Sequence, residues 1–236
     1  QARSDASDEL DLNVEESTRL GVLPSETEFG MAAVLPGRPK SYEVRLDNGD
    51  LGAYRNGSPL NADKRRRLLE EEGWAVASDD PSGWSQTRVA YYSKEIDDYG
   101  EASMQDIERR LAERVRTLAD EIFDRIRKGD WNRAYVVTDH GFVLLPEDAQ
   151  FEDLTPPGGD VKRRRVAAED LSDDGPGVLL TGERVPELFS YLSSPVRLLL
   201  DPQHRFKKQG IPDSRYYHGG ALPQECILSF LKIEAA

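Results

Sequence analysis

The sequence predicts an α/β layer fold. Segments with strand character alternate with helical ones along the 236 residues, and that interleaving is the mark of helices packed on a sheet. Ile107, Leu111, Val115, Leu118, Ile122 and Ile126 recur every three or four residues, which reads as one long amphipathic helix. The Val-rich segment that runs into Asp139 shows no polar alternation, as expected of a strand buried on both faces.

The elements follow in order. Residues 1–20 are acidic and weakly patterned and read as a frayed lead-in. A Pro-Ser turn signal at Pro24-Ser25 precedes a small-residue helix through Phe29, Met31, Ala32, Ala33, Val34 and Leu35, closed by Pro36-Gly37. Residues 41–61 alternate hydrophobic and polar and carry Asn-Gly signals, which predicts a β-hairpin. A charged helix spans Ala62 to Glu72, its Lys64-Arg65-Arg66-Arg67 run reading as a solvated face. Trp74 and Trp84 sit in a loop over 73–87. Arg88 to Ser93 is a strand, and residues 94–103 read as a loop. The long helix then runs from Ser103, as cap, to Lys128, and Gly129 stops it. Trp131 to Val137 is the strand before Asp139. Residues 146–175 are acidic and Pro/Gly-rich, short strands follow near 177–181 and 195–200, and a polar loop covers 201–216. An apolar segment, Cys226 to Ile233, closes the pattern.

Composition narrows the function. The formal net charge is −13. An acidic surface of that size repels phosphate backbones, so non-specific nucleic-acid binding is not expected, although a local basic rim from Arg163–Arg165, Arg205, Lys207 and Lys208 is allowed. No apolar run reaches membrane-spanning length and no signal peptide is visible, so the expected setting is the cytoplasm, without a membrane. The single cysteine, Cys226, excludes an internal disulfide and a Cys-rich zinc site. The chain opens Gln-Ala-Arg rather than with Met, which suggests a piece of a longer polypeptide.

Four segments can carry chemistry. Asp139-His140-Gly141 sets a carboxylate and an imidazole at a strand end, which suits zinc, manganese or iron; it also reads as a turn with a solvated histidine. Asp97-Asp98-Tyr99-Gly100-Glu101 suits a cation, or caps the next helix with negative charge. In Tyr217-His218-Gly219-Gly220 the glycines permit a tight turn or a close backbone approach. Pro24-Ser25-Glu26-Thr27 offers hydroxyls at a helix start, as an N-cap or as a nucleophile facing a phosphoryl group. His204 reads as a surface histidine.

Taken in order, these segments resemble the alkaline phosphatase superfamily, in its phosphodiesterase branch. Pro-Ser-Glu-Thr resembles the nucleophile segment, where Pro-Thr/Ser-x-Thr leads a helix that ends in a Gly. Asp97-x-x-Gly100 resembles the Asp-x-x-Gly-His metal segment, Thr138-Asp139-His140-Gly141 the Asp-His pair of the other metal, and His218-Gly219-Gly220 with Pro223-Gln224-Glu225 the C-terminal His segment. The last two look most like PglZ-domain proteins, which are associated with bacteriophage-exclusion defence and with some response regulators. The resemblance covers residues 20 to 233. It implies one domain over 1–236 with an alkaline-phosphatase-like sheet flanked by helices, and an insertion or lid over 41–87. It also implies a metal-dependent phosphodiesterase or phosphatase acting on a phosphoester or nucleotide, with other defence proteins as partners. By position Thr27 matches the nucleophile that forms a phosphothreonyl intermediate. Asp139 and His140 match ligands of the metal that activates it, and Asp97 and His218 ligands of the second. Glu101 stands where many relatives have His, so manganese or magnesium competes with zinc there. The family's further Asp, on a first strand, matches none of Asp5, Asp8 or Asp11, so that strand is expected to lie outside this chain. The alternative from another class is a binding or scaffold module that keeps the fold without turnover.

Overall fold

A computed structural model describes residues 11–35, 42–77, 87–101, 106–207 and 215–236, with the side chain of Glu101 outside that set. The predicted stops and caps at Pro36-Gly37 and Ser103, together with Trp84, Asp5, Asp8 and Lys208, also lie outside it. The architecture is mixed α/β, in small sheets joined around helices. Strand β1 (Leu12–Leu20) leads to helix α1 (Thr27–Ala33). Strands β2 (Glu43–Asp47), β3 (Asp50–Arg55) and β4 (Ser58–Pro59) follow, then α2 (Ala62–Glu71), β5 (Ala75–Ala77) and β6 (Val89–Tyr91). Helices α3 (Glu95–Glu101) and α4 (Ile107–Arg127) precede β7 (Arg133–Val137) and β8 (Val143–Leu144). The next strands are β9 (Glu152–Leu154), β10 (Asp160–Val161), β11 (Arg165–Ala167) and β12 (Val178–Leu180). After α5 (Pro186–Phe189) come β13 (Val196–Leu198), β14 (His204–Phe206) and β15 (Tyr216–Tyr217), and α6 (Pro223–Cys226) turns directly into β16 (Ile227–Ala235).

The local rules hold where the sequence states them. Asn48-Gly49 and Asn56-Gly57 all have positive φ and make the two-residue turns between β2, β3 and β4. Asn61 caps α2, its side-chain oxygen accepting from Lys64 N at 3.0 Å. Gly129, with φ of 75°, takes the left-handed position after α4. The hydrophobic stripe of α4 is covered at Ile107, Leu111 and Ile126, whereas Val115 stays 55% exposed.

Three expectations are corrected. The lead-in holds β1, which pairs antiparallel with β16 along its whole length, Leu12 opposite Ala235 and Leu20 opposite Ile227. The pairing partner supplies the apolar residues, so β1 itself can be acidic and largely exposed. The segment read as a loop after Ser93 contains α3, which packs on α4 and is tied to it by the Glu95–Arg114 ion pair. A seven-residue helix is marginal alone and is held by such packing. Finally, β7 is an edge strand. Among the described residues it bonds only β16, in the order β1-β16-β7, and Tyr135 and Val137 are about half exposed. A strand on an antiparallel sheet alternates between faces whatever its composition, so a Val-rich run did not require burial on both.

The main core joins distant parts of the chain. Phe29 of α1, Val44 and Ala53 of the hairpin, Leu60, Val196 and Leu198 pack in one cluster, each at most 1% exposed. The hairpin therefore forms one body with the helix that begins at Thr27. Glu28 of that helix reinforces the contact by accepting from Ala53 N at 3.0 Å. Among the described residues no helix is long and apolar enough to cross a membrane.

Candidate active site

Four turns bring the sequence-predicted residues together. Thr27 opens α1, preceded by Glu26 in an extended conformation. Gly30 lets that helix sit against the end of β7, since a Cβ there would lie 2.1 Å from Asp139 O. Asp97 lies in the first turn of α3. Asp139 and His140 follow β7, and His218 follows β15. The antiparallel pairing of Tyr217 with Val143 runs the chain segments of His140 and His218 side by side.

The side chains converge on His140. Its Nε2 lies 3.0 Å from Thr27 Oγ1, 3.6 Å from Asp97 Oδ2 and 3.7 Å from Asp139 Oδ2. Its Nδ1 lies 3.0 Å from the carbonyl oxygen of Gly141. A carbonyl only accepts, so Nδ1 carries a proton, and Nε2 is the nitrogen that faces Thr27. The ring is buried and stacks on His218, with centroids 4.3 Å apart and planes 15° apart. His218 Nδ1 in turn lies 3.2 Å from Ser25 O.

Both carboxylates are oriented in the same way. Asp139 Oδ1 accepts from His140 N at 3.1 Å, and Asp97 Oδ1 accepts from the Tyr216 hydroxyl. Each thus anchors one oxygen on a protein donor and turns the other towards Nε2. Burial raises the pKa of Asp139 above the usual carboxylate value; the nearby Asp97 adds to this and His140 opposes it. Asp139 and Gly30 also line an apolar cleft of about 190 Å³ with Leu20, Val22, Val137 and Phe230.

The donor types suit a divalent cation: two imidazoles and two carboxylates with a free oxygen each, one imidazole having its tautomer fixed from behind. Among the described residues, however, no three His, Cys, Asp or Glu side chains close into a ready metal cage. The fit is one of chemistry, with the donors gathered pairwise around His140. Glu101 ends α3, and its side chain is outside the described set.

Sequence reasoning missed two supports. Ser25 does not cap α1; its hydroxyl donates to Gly220 O at 3.0 Å and accepts from Gly219 N at 2.9 Å, clamping the His218 turn to the Thr27 segment. Tyr216 precedes His218 by two, the spacing that puts two strand residues on one face, and that spacing was its only signal. Arg164 and Arg165 form no basic rim. Both are 1% exposed, Arg164 on Glu225 and Arg165 on Glu26 and Asp160. His204, as expected, is partly exposed and faces Glu152 at 3.2 Å.

Comparison with known proteins places the chain in a family. Residues 5–233 match the family described as the BREX system PglZ alkaline phosphatase-like domain. The alkaline phosphatase-like protein BrxZ of Escherichia coli O9:H4 (strain HS) is 28% identical over 240 aligned residues. The alignment takes in 92% of this chain and 27% of that protein, so the chain spans about a quarter of the relative's length.

Proposed function

The chain belongs to the PglZ alkaline phosphatase-like family of BREX systems, and from that premise we propose that it is a metal-dependent phosphoester hydrolase with Thr27 as nucleophile, serving bacteriophage defence. One observation carries the reading: Thr27 Oγ1 stands 3.0 Å from His140 Nε2, which two carboxylate oxygens also face at 3.6 and 3.7 Å. A hydroxyl is a weak nucleophile until a neighbouring base or cation draws off its proton. His140 Nε2, left open by the bond that the ring's other nitrogen makes to Gly141 O, would be a ligand of the cation that lowers the hydroxyl's pKa, and the proton then passes to water. Oγ1 then attacks phosphorus, the ester oxygen leaves, and water later releases the phosphoryl group from Thr27. Asp97, Asp139, His140 and His218 would hold the cations, with Glu101 as a further candidate. Bound there, zinc, manganese or magnesium would neutralise the charge that builds on the phosphoryl oxygens and the leaving group. Phosphodiesters are the proposed substrate class. The segment 41–87, bonded through Ala53 to the helix of Thr27, is the proposed wall or lid that sets substrate size. Other BREX proteins are the proposed partners and the cytoplasm the proposed setting.

A second reading has one observation in its favour. The absence of a closed donor cage among the described residues suits a scaffold that keeps the fold without turnover. Hydrolysis of a chromogenic phosphodiester and its monoester separates the two, with zinc, manganese or chelator, for wild type and Thr27→Ala. The catalytic reading expects metal-dependent diester cleavage that falls at least 100-fold in the variant. Equal, metal-independent rates in both proteins would remove it.

A further inference from the structure

The two histidine turns meet at one buried carboxylate that the chemistry above does not use. Glu225 is fully buried. Its Oε1 accepts from Gly220 N at 2.7 Å and its Oε2 from Leu222 N at 3.0 Å, which pins the turn that follows His218. Its backbone oxygen accepts from Gly141 N at 3.0 Å, which pins the residue after His140. One residue therefore holds both segments whose imidazoles stack.

The surroundings are shaped for this contact. A Cβ at Gly141 would lie 2.0 Å from Gln224 O, and one at Gly220 would lie 2.7 Å from Glu225 Oε2 and 2.9 Å from Arg164 Nη2. Neither turn has room for a side chain against α6. Arg164 backs the carboxylate at 3.4 Å and is itself fixed by the carbonyls of Leu199, Asp201 and His204. A buried carboxylate with two amide donors and a guanidinium has its charge met and its rotamer locked. The pair thus ties the histidines to β13 and β14, well outside their own loops.

We propose that Glu225, backed by Arg164, is a positioning residue that fixes His140 and His218 relative to each other. The inference rests on the site reading above but acts through geometry alone, so its test needs no turnover. The imidazole nitrogen resonances of ¹⁵N-histidine-labelled chain report ring environment directly, in chelator, for wild type, Glu225→Ala and Glu225→Gln. With the fold intact by circular dichroism, Glu225→Ala, which keeps the main-chain bond to Gly141 N, is expected to shift the His218 ring signals and to weaken the ring-to-ring Overhauser contact with His140. Glu225→Gln keeps an oxygen for Gly220 N and is expected to restore part of the wild-type pattern. Unshifted His218 signals in folded Glu225→Ala would overturn the proposal. Because removing one partner of a buried ion pair is strongly destabilising, amide exchange in the wild-type chain provides an arm that needs no variant. Gly141, Gly220 and Leu222 are expected to be protected as a group, and rapid exchange at Gly220 would overturn the proposal too. A protein that cleaves no ester yet shows these shifts would remove the catalytic reading and leave this one standing.

Discussion

Tyr216 and Asp97 show how much of the site is orientation. The phenol holds one carboxylate oxygen and leaves the other facing His140 Nε2 at 3.6 Å. Tyr216→Phe removes that one hydrogen bond and keeps the ring that packs against Gly100 and Phe142. Loss of such an outer hydrogen bond typically costs roughly 10–100-fold in metal affinity. Manganese or zinc titration calorimetry is expected to show a loss in that range with an unchanged melting temperature. Asp139 gives a pH prediction. Its pKa is raised in the fold, by burial first and by Asp97 second. A raised carboxylate pKa favours the folded state below the unfolded value, and that contribution is lost as pH rises through the folded one. Without metal, Asp139→Asn is therefore expected to be more stable than wild type at neutral pH. The difference should vanish as pH falls below the ordinary aspartate range. Urea midpoints across pH in chelator measure it. Cys226, by contrast, is held inert: burial, with Glu225 adding to it, pushes its thiol up to about 12.

At the scale of elements, α1 is placed by a single missing side chain. Gly30→Ala would set a Cβ 2.1 Å from Asp139 O, and backbone cannot yield there as a flexible side chain would. Overpacking of this kind costs about 1–3 kcal/mol. The variant is expected to melt earlier and to lose diester cleavage together, as read by thermal denaturation beside the hydrolysis assay. Elements with local signals were legible in the sequence. The Asn-Gly hairpin turns, the Asn61 cap and the stripe of α4 each follow from nearest neighbours. Elements made by partners were not. The strand β1 is acidic and takes its place from β16, and α3 takes its place from α4. The edge position of β7 is a fact about the sheet and not about its valines. The site divides in the same way. Thr27, Asp97, Asp139, His140 and His218 were legible because residues of that chemistry occur in a family's order. Ser25 and Tyr216 act through hydrogen bonds to groups far away in sequence, which no local pattern encodes, whereas Glu225 closes on Gly220 five residues away, inside a segment that the resemblance already quotes.

Across the whole molecule the sheets are small, and the site lies where their connections meet. The β7 and β15 ends, the start of α1 and the first turn of α3 each contribute one or two groups. The buried pairs Arg164–Glu225 and Arg165–Glu26 carry the body of the fold up to those turns. The net charge of −13 is a property of the surface and does not describe the site's surroundings. There two arginines at 1% exposure lie beside the turns, and their charges are already paired. Under the proposed function, phosphate recognition would fall to the donor cluster around His140 and to the cations proposed for it. The central claim is that Thr27 itself takes the phosphoryl group. Its most direct test is an acid quench during turnover of a chromogenic phosphoester with manganese or zinc, followed by mass spectrometry of the peptide containing Thr27. A phosphoryl group on Thr27 is expected, absent without metal and absent in Thr27→Ala. Turnover with the Thr27 peptide never modified, and undiminished in Thr27→Ala, would contradict it.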